Sequence, residues 1–307
     1  MTLLQLRFLR EIARQSLNMS AAARALNTSQ PSISRQIQQL AAELGVELLA
    51  RQRNRITGFT EAGNAVLSMA TRSLSEIESI ASYAADLTDQ RGRLTLAASH
   101  LHARFMLAKP IVAFNRAHPN VTLHMRQVEP NAITRLVADG DADIGISTER
   151  ATDETSLLLL PLGLLQRSLI MPKGHPLAQA RSITLADIAR FPIVGYNERS
   201  RTGELLAAAF RDAGLSPHYV VSGSDADVIK VYVAAGLGVA IVPTVAVDGS
   251  PAALVARDIT RMLPQTQTIL SMRRNAYLAR HLVAFVRILA PQWSRARLET
   301  AMAASDR

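Results

Sequence analysis

A short polar helix face near the start of the chain has the side chains that can read a nucleic-acid duplex. Its polar residues recur at helical spacing, and none of them is acidic: Ser32, Arg35, Gln36 and Gln39. Hydroxyl, amide and guanidinium groups donate hydrogen bonds to phosphates and to base edges in a major groove. The pattern therefore predicts a recognition helix, although an ordinary surface helix also carries a polar face.

Two predicted helices meet at a tight break and position this face. Residues 20–26 form a short alanine-rich helix that Ser20 can cap at its N-terminus, and residues 27–29 interrupt it. Gln30-Pro31 then opens the second helix, where the fixed φ of Pro31 favours a first turn. The face opposite the polar one carries an apolar stripe: Ile33, Ile37, Leu40 and Leu44. Residues 3–16 predict a further helix that completes a three-helix core.

A basic segment follows the helix pair. Three arginines alternate along a stretch that we expect to be extended, so that one side meets a phosphate backbone: Arg51, Arg53 and Arg55. This is typical of the wing of a winged helix-turn-helix, and the alternative is a solvated basic loop. Residues 1–60 hold eight Arg and no Lys against three Glu, a net +5 of the total +9. The predicted DNA contacts are Ser20, Thr28, Ser29, Gln30, Pro31, Ser32, Ser34, Arg35, Gln36, Gln39, Arg51, Arg53 and Arg55.

A long helix is predicted after Thr60, which can cap it, and it ends near residues 89–92. Small and apolar residues recur every three or four positions along it: Val66, Met69, Ser73, Ile77, Ile80, Ala84 and Leu87. A long helix with one narrow stripe usually pairs with a copy of itself. We therefore expect a dimer through this helix.

From Arg93 onwards, strand-like and helical segments alternate, which predicts an α/β architecture with parallel sheets. The strands are predicted at Leu94–Ala98, Val121–Arg126, Asp143–Ser147, Ser168–Met171, Ile193–Tyr196, Tyr219–Ser222 and Val239–Val242. The helices are predicted at 103–117, 130–139, 202–213, 225–235 and 280–290. Residues 163–166 and 265–268 are candidate crossovers between two subdomains, and a cleft between such lobes is a natural ligand site.

Composition excludes several classes of function. The chain has no Cys, which excludes disulfides, thiol catalysis and thiolate metal sites. Its apolar runs are too short to span a bilayer, and residues 1–15 do not resemble a signal peptide, so we expect a cytoplasmic protein without membrane contact. We find no nucleophile–base motif and no phosphate-binding glycine loop, and we therefore do not expect an enzyme.

Two groups of residues could suggest a metal site or a catalytic site, but we favour a structural role for each. His100, His102 and His124 are weak evidence for a metal because no acidic partner is obvious nearby, and polar lining or core roles are the simpler account. Asp225 and Asp227 stand at the start of a predicted helix, where acids favour the positive end of the helix dipole. We therefore expect neither a metal nor a catalytic carboxylate pair.

The first 65 residues, with the sequence AAARALNTSQPSISRQIQQLAAELGVELLAR, the wing and TEAG, resemble the LysR-type transcriptional regulators. The resemblance covers essentially the whole chain. Three further stretches resemble the CysB/Cbl subgroup, which controls sulfur assimilation. They are AASHLHARFMLAKPIVAFNRAHPNVTLHM (97–125), SDADVIKVYVAAGLGVAIVP (224–243) and RDIT…TILSMRRNAYL (257–278).

The resemblance implies an all-α winged helix-turn-helix domain, a linker helix and a periplasmic-binding-protein-like effector domain with two Rossmann-like subdomains. We place the DNA-binding domain at 1–60, the linker and dimerisation helix at 61–90 and the effector domain at 91–307. Subdomain I would span about 91–163 and 268–307, and subdomain II about 164–267. The resemblance further implies double-stranded promoter DNA and RNA polymerase as partners, a homotetramer built from linker-helix dimers, and no cofactor other than a small effector.

The predicted effector site follows the first strand of the α/β domain. Unpaired amides at the start of a helix suit an anion, and hydroxyl groups from two lobes can add donors. The predicted residues are Ser99, His100, Leu101, His102, Thr148 and Thr202. The subgroup usually shows Thr-His-Thr-Gln-Ala-Arg where this chain has Ser-His-Leu-His-Ala-Arg, so a hydroxyl is lost at Leu101 and an amide at His102. The resemblance implies sulfate or an acetylserine as the effector, and the two replacements make a sulfonate or another organosulfur compound a further candidate.

Other interpretations remain open from the sequence. A LysR-type regulator can answer to a small molecule unrelated to sulfur. A solute-binding protein would suit the last two thirds of the chain, but it would need an export signal and no basic N-terminal module. A non-specific architectural DNA binder would not need about 210 residues of α/β domain.

Overall fold

The computed structural model describes residues 1–53, 55–87, 92–148, 156–198, 200–248 and 250–304, with the side chains of Arg55 and Ala85 outside the description. The chain divides into two compact units, and the second begins at Arg93. The boundaries of the three predicted domains stay a prediction.

The first unit opens with three helices: α1 (Leu3–Arg14), α2 (Met19–Ala25) and α3 (Gln30–Leu44). Thr2 and Gln5 form a capping box at the start of α1. The apolar faces of the three helices share one core, with Leu9, Ile12 and Ile33 fully buried. The predicted three-helix core is therefore confirmed.

A hairpin and a long helix complete this unit. Strands β1 (Leu49–Gln52) and β2 (Arg55–Phe59) pair antiparallel, and α4 runs from Glu61 to Leu87. Thr60 caps α4 as predicted, because its hydroxyl accepts a hydrogen bond from the Gly63 amide at 2.8 Å. Leu67, Ala70 and Leu74 of α4 pack into the core of the first unit. The predicted end of the linker near residues 89–91 lies outside the described residues.

The second unit begins with a five-stranded sheet of order β4-β3-β5-β12-β6. Its strands are β3 (Gly92–Ala98), β4 (Val121–Gln127), β5 (Ile144–Ser147), β6 (Leu157–Leu164) and β12 (Gln267–Arg273). The accompanying helices are α5 (Ala108–Ala117), α6 (Pro130–Ala138), α10 (Arg280–Leu289) and α11 (Arg295–Ala303). A π-helical turn at His102–Met106 precedes α5, where the sequence predicted one continuous helix.

The remaining strands form two smaller sheets of order β10-β7-β11 and β8-β9. They are β7 (Arg167–Pro172), β8 (Ile193–Tyr196), β9 (Tyr219–Gly223), β10 (Ala240–Pro243) and β11 (Leu254–Asp258). Helices α7 (Leu185–Ala189), α8 (Arg201–Asp212) and α9 (Ala226–Ala234) lie between them in the chain. A parallel bridge from Ile193 to Val239 connects β8 with the residue before β10.

The α/β prediction is confirmed, and the expectation of parallel sheets holds for the β8-β9 sheet but not for the other two sheets of this unit. Strands β3 and β5 are parallel, whereas β12 runs antiparallel to both β5 and β6. Strands β10 and β11 are likewise antiparallel to β7. The sequence interpretation missed β6, β11, β12, α7 and α11. Two of the missed strands, β6 and β12, pair with each other where the chain passes between the large sheet and β7, so the predicted crossovers 163–166 and 265–268 include strand ends.

Candidate functional site

The polar face of α3 is accessible and its apolar face is buried. Ser29 caps the helix by accepting a hydrogen bond from the Ser32 amide at 3.3 Å. Arg35 and Gln39 are exposed, while Ile33, Ile37 and Leu40 are buried on the other side. Leu44, which the sequence placed in the apolar stripe, is 38% exposed because the helix ends there at Gly45. The division of faces is otherwise as predicted.

The cap of α2 differs from the prediction. Asn18 is the N-cap residue, and its side chain accepts a hydrogen bond from the Ala21 amide at 2.9 Å. Ser20 lies in the first turn of the helix and is exposed. The helix starts one residue earlier than predicted because Asn18 is also a strong capping residue. Ser20 remains on the accessible surface of the helix pair.

The structure leaves every predicted DNA contact whose side chain it describes at least partly exposed. Those that are exposed are Ser20, Ser29, Gln30, Pro31, Arg35, Gln39, Arg51 and Arg53. Those that are half-buried are Thr28, Ser32, Ser34 and Gln36. Arg24, in the last turn of α2, is a further exposed cation that the sequence interpretation did not select.

The three basic residues after α3 do not lie on one extended strand, so this prediction is wrong. Arg51 lies on β1, Arg53 lies in the turn and Arg55 opens β2. The chain reverses at Arg53, which adopts a left-handed φ of 47°. Within the described residues, neither Arg51 nor Arg53 forms an ion pair. The hairpin therefore presents two guanidinium groups that are available to phosphates.

Helix α4 leaves an apolar stripe uncovered, which we call the open stripe: Met69, Ile80 and Leu87. These three side chains are 56%, 67% and 66% exposed. They lie on a face of α4 different from the one that packs into the core, because residues 11 and 7 apart return to the same side of a helix. Val66 of the predicted seam is instead half-buried against that core, and Ile77 is half-buried.

A cavity of about 860 Å³ lies in the second unit, beyond the carboxyl ends of several strands. Five of the six predicted effector residues line it: Ser99, His100, Leu101, Thr148 and Thr202. Further lining residues include Gln127, Glu129, Asn131, Tyr196, Ser200, Arg201, Glu204 and Asp225. The sequence interpretation missed Gln127 and Tyr196, although each is the last residue of a strand, as Thr148 follows one.

The His102 side chain does not line the cavity, unlike the other five predicted effector residues, so the structure does not support a ligand contact by its ring, and a contact by its main-chain amide stays a prediction. The side chain is buried, and its Nδ1 lies 2.8 Å from the Ser99 hydroxyl oxygen. Burial lowers the pKa of His102 to about 4, so the ring is neutral at neutral pH. Residues two apart on a helix point in nearly opposite directions, which separates His102 from His100.

Two threonine hydroxyls in the cavity, those of Thr148 and Thr202, form no hydrogen bond with the part of the chain that the structure describes. The cap of α8 is Ser200, whose hydroxyl accepts a hydrogen bond from the Gly203 amide at 3.1 Å. Thr202 is therefore not needed for that role. Ser99 differs from both threonines, because its hydroxyl already forms a hydrogen bond with Nδ1 of His102.

Gly203 brings the start of α8 against the loop after β8. A Cβ at this position would lie 2.1 Å from the Asn197 carbonyl oxygen, which no side chain tolerates. Only glycine permits this approach, because the obstacle is main chain and not a flexible side chain. Gly203 thereby determines where Thr202 stands at the wall of the cavity.

His100 has acidic neighbours that the sequence did not predict. Ligand atoms of His100, Asp225 and Asp227 lie within 4.8 Å of one another. Asp225 caps α9 as predicted, by accepting a hydrogen bond from the Val228 amide at 3.0 Å. Asp227 does more than favour the helix dipole, since it pairs with Arg104 and, at 3.1 Å, with Lys230. Two permanent cations on Asp227 compete with any metal ion, so we assign no metal site here.

A buried guanidinium interacts with one residue of the cavity wall. Arg167, at the start of β7, is 3% exposed, and its Nη1 donates to the Thr266 hydroxyl at 3.1 Å. Its Nε is buried without a hydrogen-bond partner among the described residues. Burial lowers the pKa of Arg167, and the group interacts electrostatically with Tyr196, which lines the cavity. Burial also raises the pKa of Tyr196, which stays a neutral phenol.

Family models match almost the whole chain. The model described as bacterial regulatory helix-turn-helix protein, lysR family, matches residues 3–64, and the LysR substrate binding domain matches residues 88–294. The chain therefore belongs to the LysR family of transcriptional regulators. It is a DNA-binding regulator whose second unit is of the class that binds small-molecule effectors.

Three named regulators show to which members of the LysR family this chain is similar. The HTH-type transcriptional regulator SsuR of Burkholderia cenocepacia is 36% identical, over 96% of this chain and 96% of that protein. CysB of the same organism is 35% identical over 98% and 97%. Cbl of Escherichia coli is 40% identical over 78% and 76%. All three are regulators, so the expectation that this chain is not an enzyme is confirmed.

Solved structures agree with this assignment. The cofactor-binding domain of the Cbl transcriptional regulator is 31% identical with a TM-score of 0.64, covering 70% of this chain and 94% of that one. A full-length OxyR variant from Pseudomonas aeruginosa has a TM-score of 0.75 at 23% identity, covering 94% of each chain, and supports the fold alone. None of the described helices is both long and apolar enough to cross a membrane.

Proposed function

We propose that this regulator binds promoter DNA through α3 and the hairpin and senses a small sulfur-containing anion in the cavity of its second unit. The observation that supports this most directly is the pair of hydroxyls of Thr148 and Thr202, which have no hydrogen-bond partner among the described residues and lie at the wall of the same cavity as Ser99. The matches to SsuR, CysB and Cbl support a sulfur-related effector. A LysR-type regulator that answers to an unrelated small molecule is the alternative.

The proposed DNA contacts divide into two kinds. Ser32, Ser34 and Arg35 would approach base edges from α3, because they lie on its accessible face near its N-terminus. Arg51 and Arg53 would contact phosphates from the hairpin. Base contacts determine sequence preference, whereas phosphate contacts mainly determine affinity and its salt dependence.

Two arginine variants should separate these roles. Arg35→Ala should weaken binding by about 1–3 kcal/mol and relax sequence preference, because a base contact is lost. Arg53→Ala should weaken binding to all sequences alike and lower the salt slope by about one unit. Fluorescence anisotropy with the chain's own promoter and a scrambled duplex, at several salt concentrations, measures both effects.

Arg211→Ala is the matched control, because Arg211 is exposed on α8 and outside the proposed DNA face. It should leave both affinity and salt slope unchanged. If Arg35→Ala also leaves affinity and base preference unchanged, α3 is not the recognition helix.

The cavity suits an anion that is held mainly by neutral donors. Ser99, Thr148 and Thr202 contribute hydroxyls, and the His100 ring is positioned by a contact of 2.9 Å between its Nδ1 and the Gln127 amide nitrogen. The cavity also contains the carboxyl groups of Glu129, Glu204 and Asp225. The anionic group of the ligand would therefore lie on the hydroxyl-lined side. Sulfate, an acetylserine, or another organosulfur compound such as a sulfonate meets this requirement.

Leu101 is a candidate determinant of which anion binds. Its side chain lines the cavity and also packs against the core that contains Ile170 and Val242. The CysB/Cbl pattern has a hydroxyl residue at this position. Without that hydroxyl donor, the cavity would bind a small tetrahedral anion such as sulfate less tightly. The affinity for a partly apolar sulfonate would fall less, because Leu101 can contact its apolar part.

Calorimetric titration of the full chain with sulfate, thiosulfate, acetylserines and alkyl sulfonates tests the effector proposal. Thr148→Val and Thr202→Val should each weaken the preferred ligand by about 1–3 kcal/mol, because each removes one donor without changing shape. Thr122→Val, an exposed threonine on β4, is the matched control and should have no effect. Unchanged affinity in both cavity variants would place the effector elsewhere.

The family resemblance supports further features of the assembly. We propose a dimer through the open stripe of α4, a homotetramer built from two such dimers, and contact with RNA polymerase at the promoter. The cytoplasm is the compartment where a DNA-binding regulator of this kind would act.

A further inference from the structure

Of the three hydroxyls proposed to bind the effector, that of Ser99 alone has a hydrogen-bond partner among the described residues. Its Oγ lies 2.8 Å from Nδ1 of His102, three residues further along the chain. His102 is 2% exposed and neutral, so the ring carries a single proton on one of its two nitrogens. The position of that proton determines what Ser99 can offer to a ligand.

The two tautomers of His102 have opposite consequences. If Nδ1 is unprotonated, the Ser99 hydroxyl donates its proton to the ring, and only oxygen lone pairs face the cavity. If Nδ1 is protonated, the ring donates to the Ser99 oxygen, and the hydroxyl proton is free to point into the cavity. An anion needs donors, so only the second arrangement makes Ser99 useful to an anionic effector.

The other ring nitrogen favours one tautomer. Nε2 of His102 is buried and has no hydrogen-bond partner among the described residues. A proton on Nε2 would therefore be a buried N–H donor without an acceptor, and such donors are rarer in proteins than acceptors without a donor. A proton on Nδ1 instead forms the observed hydrogen bond to Ser99.

We propose that His102 carries its proton on Nδ1 and thereby orients the Ser99 hydroxyl as a hydrogen-bond donor to the effector. This deepens the proposed function and rests on it for the ligand, but the tautomer is a property of the free protein. His102 is in this account a positioning residue, since it lines no part of the cavity itself.

The tautomer can be measured without any ligand. Two-bond proton–nitrogen correlation spectra of the full chain with 15N-labelled histidine report which ring nitrogen is protonated. The His102→Gln variant identifies the His102 signals among the seven histidines. We expect Nδ1 protonated and Nε2 unprotonated at pH 7. A spectrum with Nε2 protonated would overturn the proposal, whether or not sulfate binds.

A double-mutant cycle with sulfate as the probe tests the consequence for binding. His102→Leu and Ser99→Ala should each weaken sulfate binding about tenfold, and the double variant should be no weaker than either alone. His102→Asn should restore most of the affinity, because an amide at the place of Nδ1 can still donate to Ser99. Additive losses would contradict the coupling. Absence of sulfate binding in the unmodified chain would exclude sulfate as the effector and leave the measured tautomer to decide the proposal.

Discussion

Ile80→Glu should strongly weaken dimerisation while each chain keeps its fold. Ile80 is 67% exposed in the single chain, so glutamate there costs the monomer little. In a dimer joined through the open stripe, the same carboxylate would be buried without a partner, at a cost of about 3 kcal/mol or more. This corresponds to a loss of about a hundredfold or more in dimer affinity. Light scattering measures the assembly, and circular dichroism measures the fold.

The helix offers a matched control beside this position. Ala81 is also exposed, but one residue further along a helix points about 100° away from the open stripe. Ala81→Glu adds the same charge and should leave the oligomer intact. DNA binding should fall with Ile80→Glu alone, because two joined recognition helices bind neighbouring half-sites together. An intact oligomer for Ile80→Glu would remove α4 from the interface.

Gly203→Ala should weaken both the effector site and the fold of the second unit. The added Cβ would lie 2.1 Å from the Asn197 oxygen and 2.8 Å from its carbonyl carbon. The main chain must move to relieve this overlap, and overpacking of this kind costs about 1–3 kcal/mol of unfolding free energy. The movement displaces Thr202 from the cavity wall, so affinity for the preferred anion should fall by roughly tenfold or more, the equivalent of at least one lost hydrogen bond. Thermal unfolding and calorimetry measure the two effects.

Gly58→Ala is the control for this prediction. A Cβ at Gly58 would meet no atom within 4 Å, and Gly58 lies in the hairpin of the first unit. It should leave the effector affinity unchanged and the stability nearly so. Normal stability and normal effector affinity in Gly203→Ala would show that the approach of α8 to Asn197 does not determine the cavity.

Local signals made much of this fold predictable. The start of α3 follows from Ser29 and Pro31, and the start of α4 follows from Thr60, because capping and a restricted φ act within four residues. The cap of α2 was misplaced because Asn18 and Ser20 are both good caps and only the structure distinguishes them. The strands of the second unit were found where apolar runs are short and isolated. A strand that was missed, β12, is held by antiparallel pairing with β5 and β6, which lie about a hundred residues earlier in the chain, and no local signal reports such pairing.

The candidate effector site was likewise predictable from local signals and not from contacts between residues distant in the chain. Five of its six predicted residues line one cavity: four of them follow the ends of β3 and β5, which meet at the same edge of a sheet, and Thr202 lies at the start of α8. Tyr196 and Gln127 would have been found by applying that rule to every strand. The acidic neighbours of His100 were missed, because Asp225 and Asp227 are distant from it in the chain and only folding brings them together.

The sequence by itself determined the class of protein, the polar face of α3 and the hydroxyl residues that line the cavity, since residue type and local spacing carry that information. Only the tertiary structure decided that His102 is turned into the core and bonded to Ser99 while His100 faces the cavity. It likewise decided that Ile80 is left uncovered while Val66 of the same predicted seam is half-buried. Helical spacing specifies which side chains share a face, but what covers that face depends on residues distant in the chain.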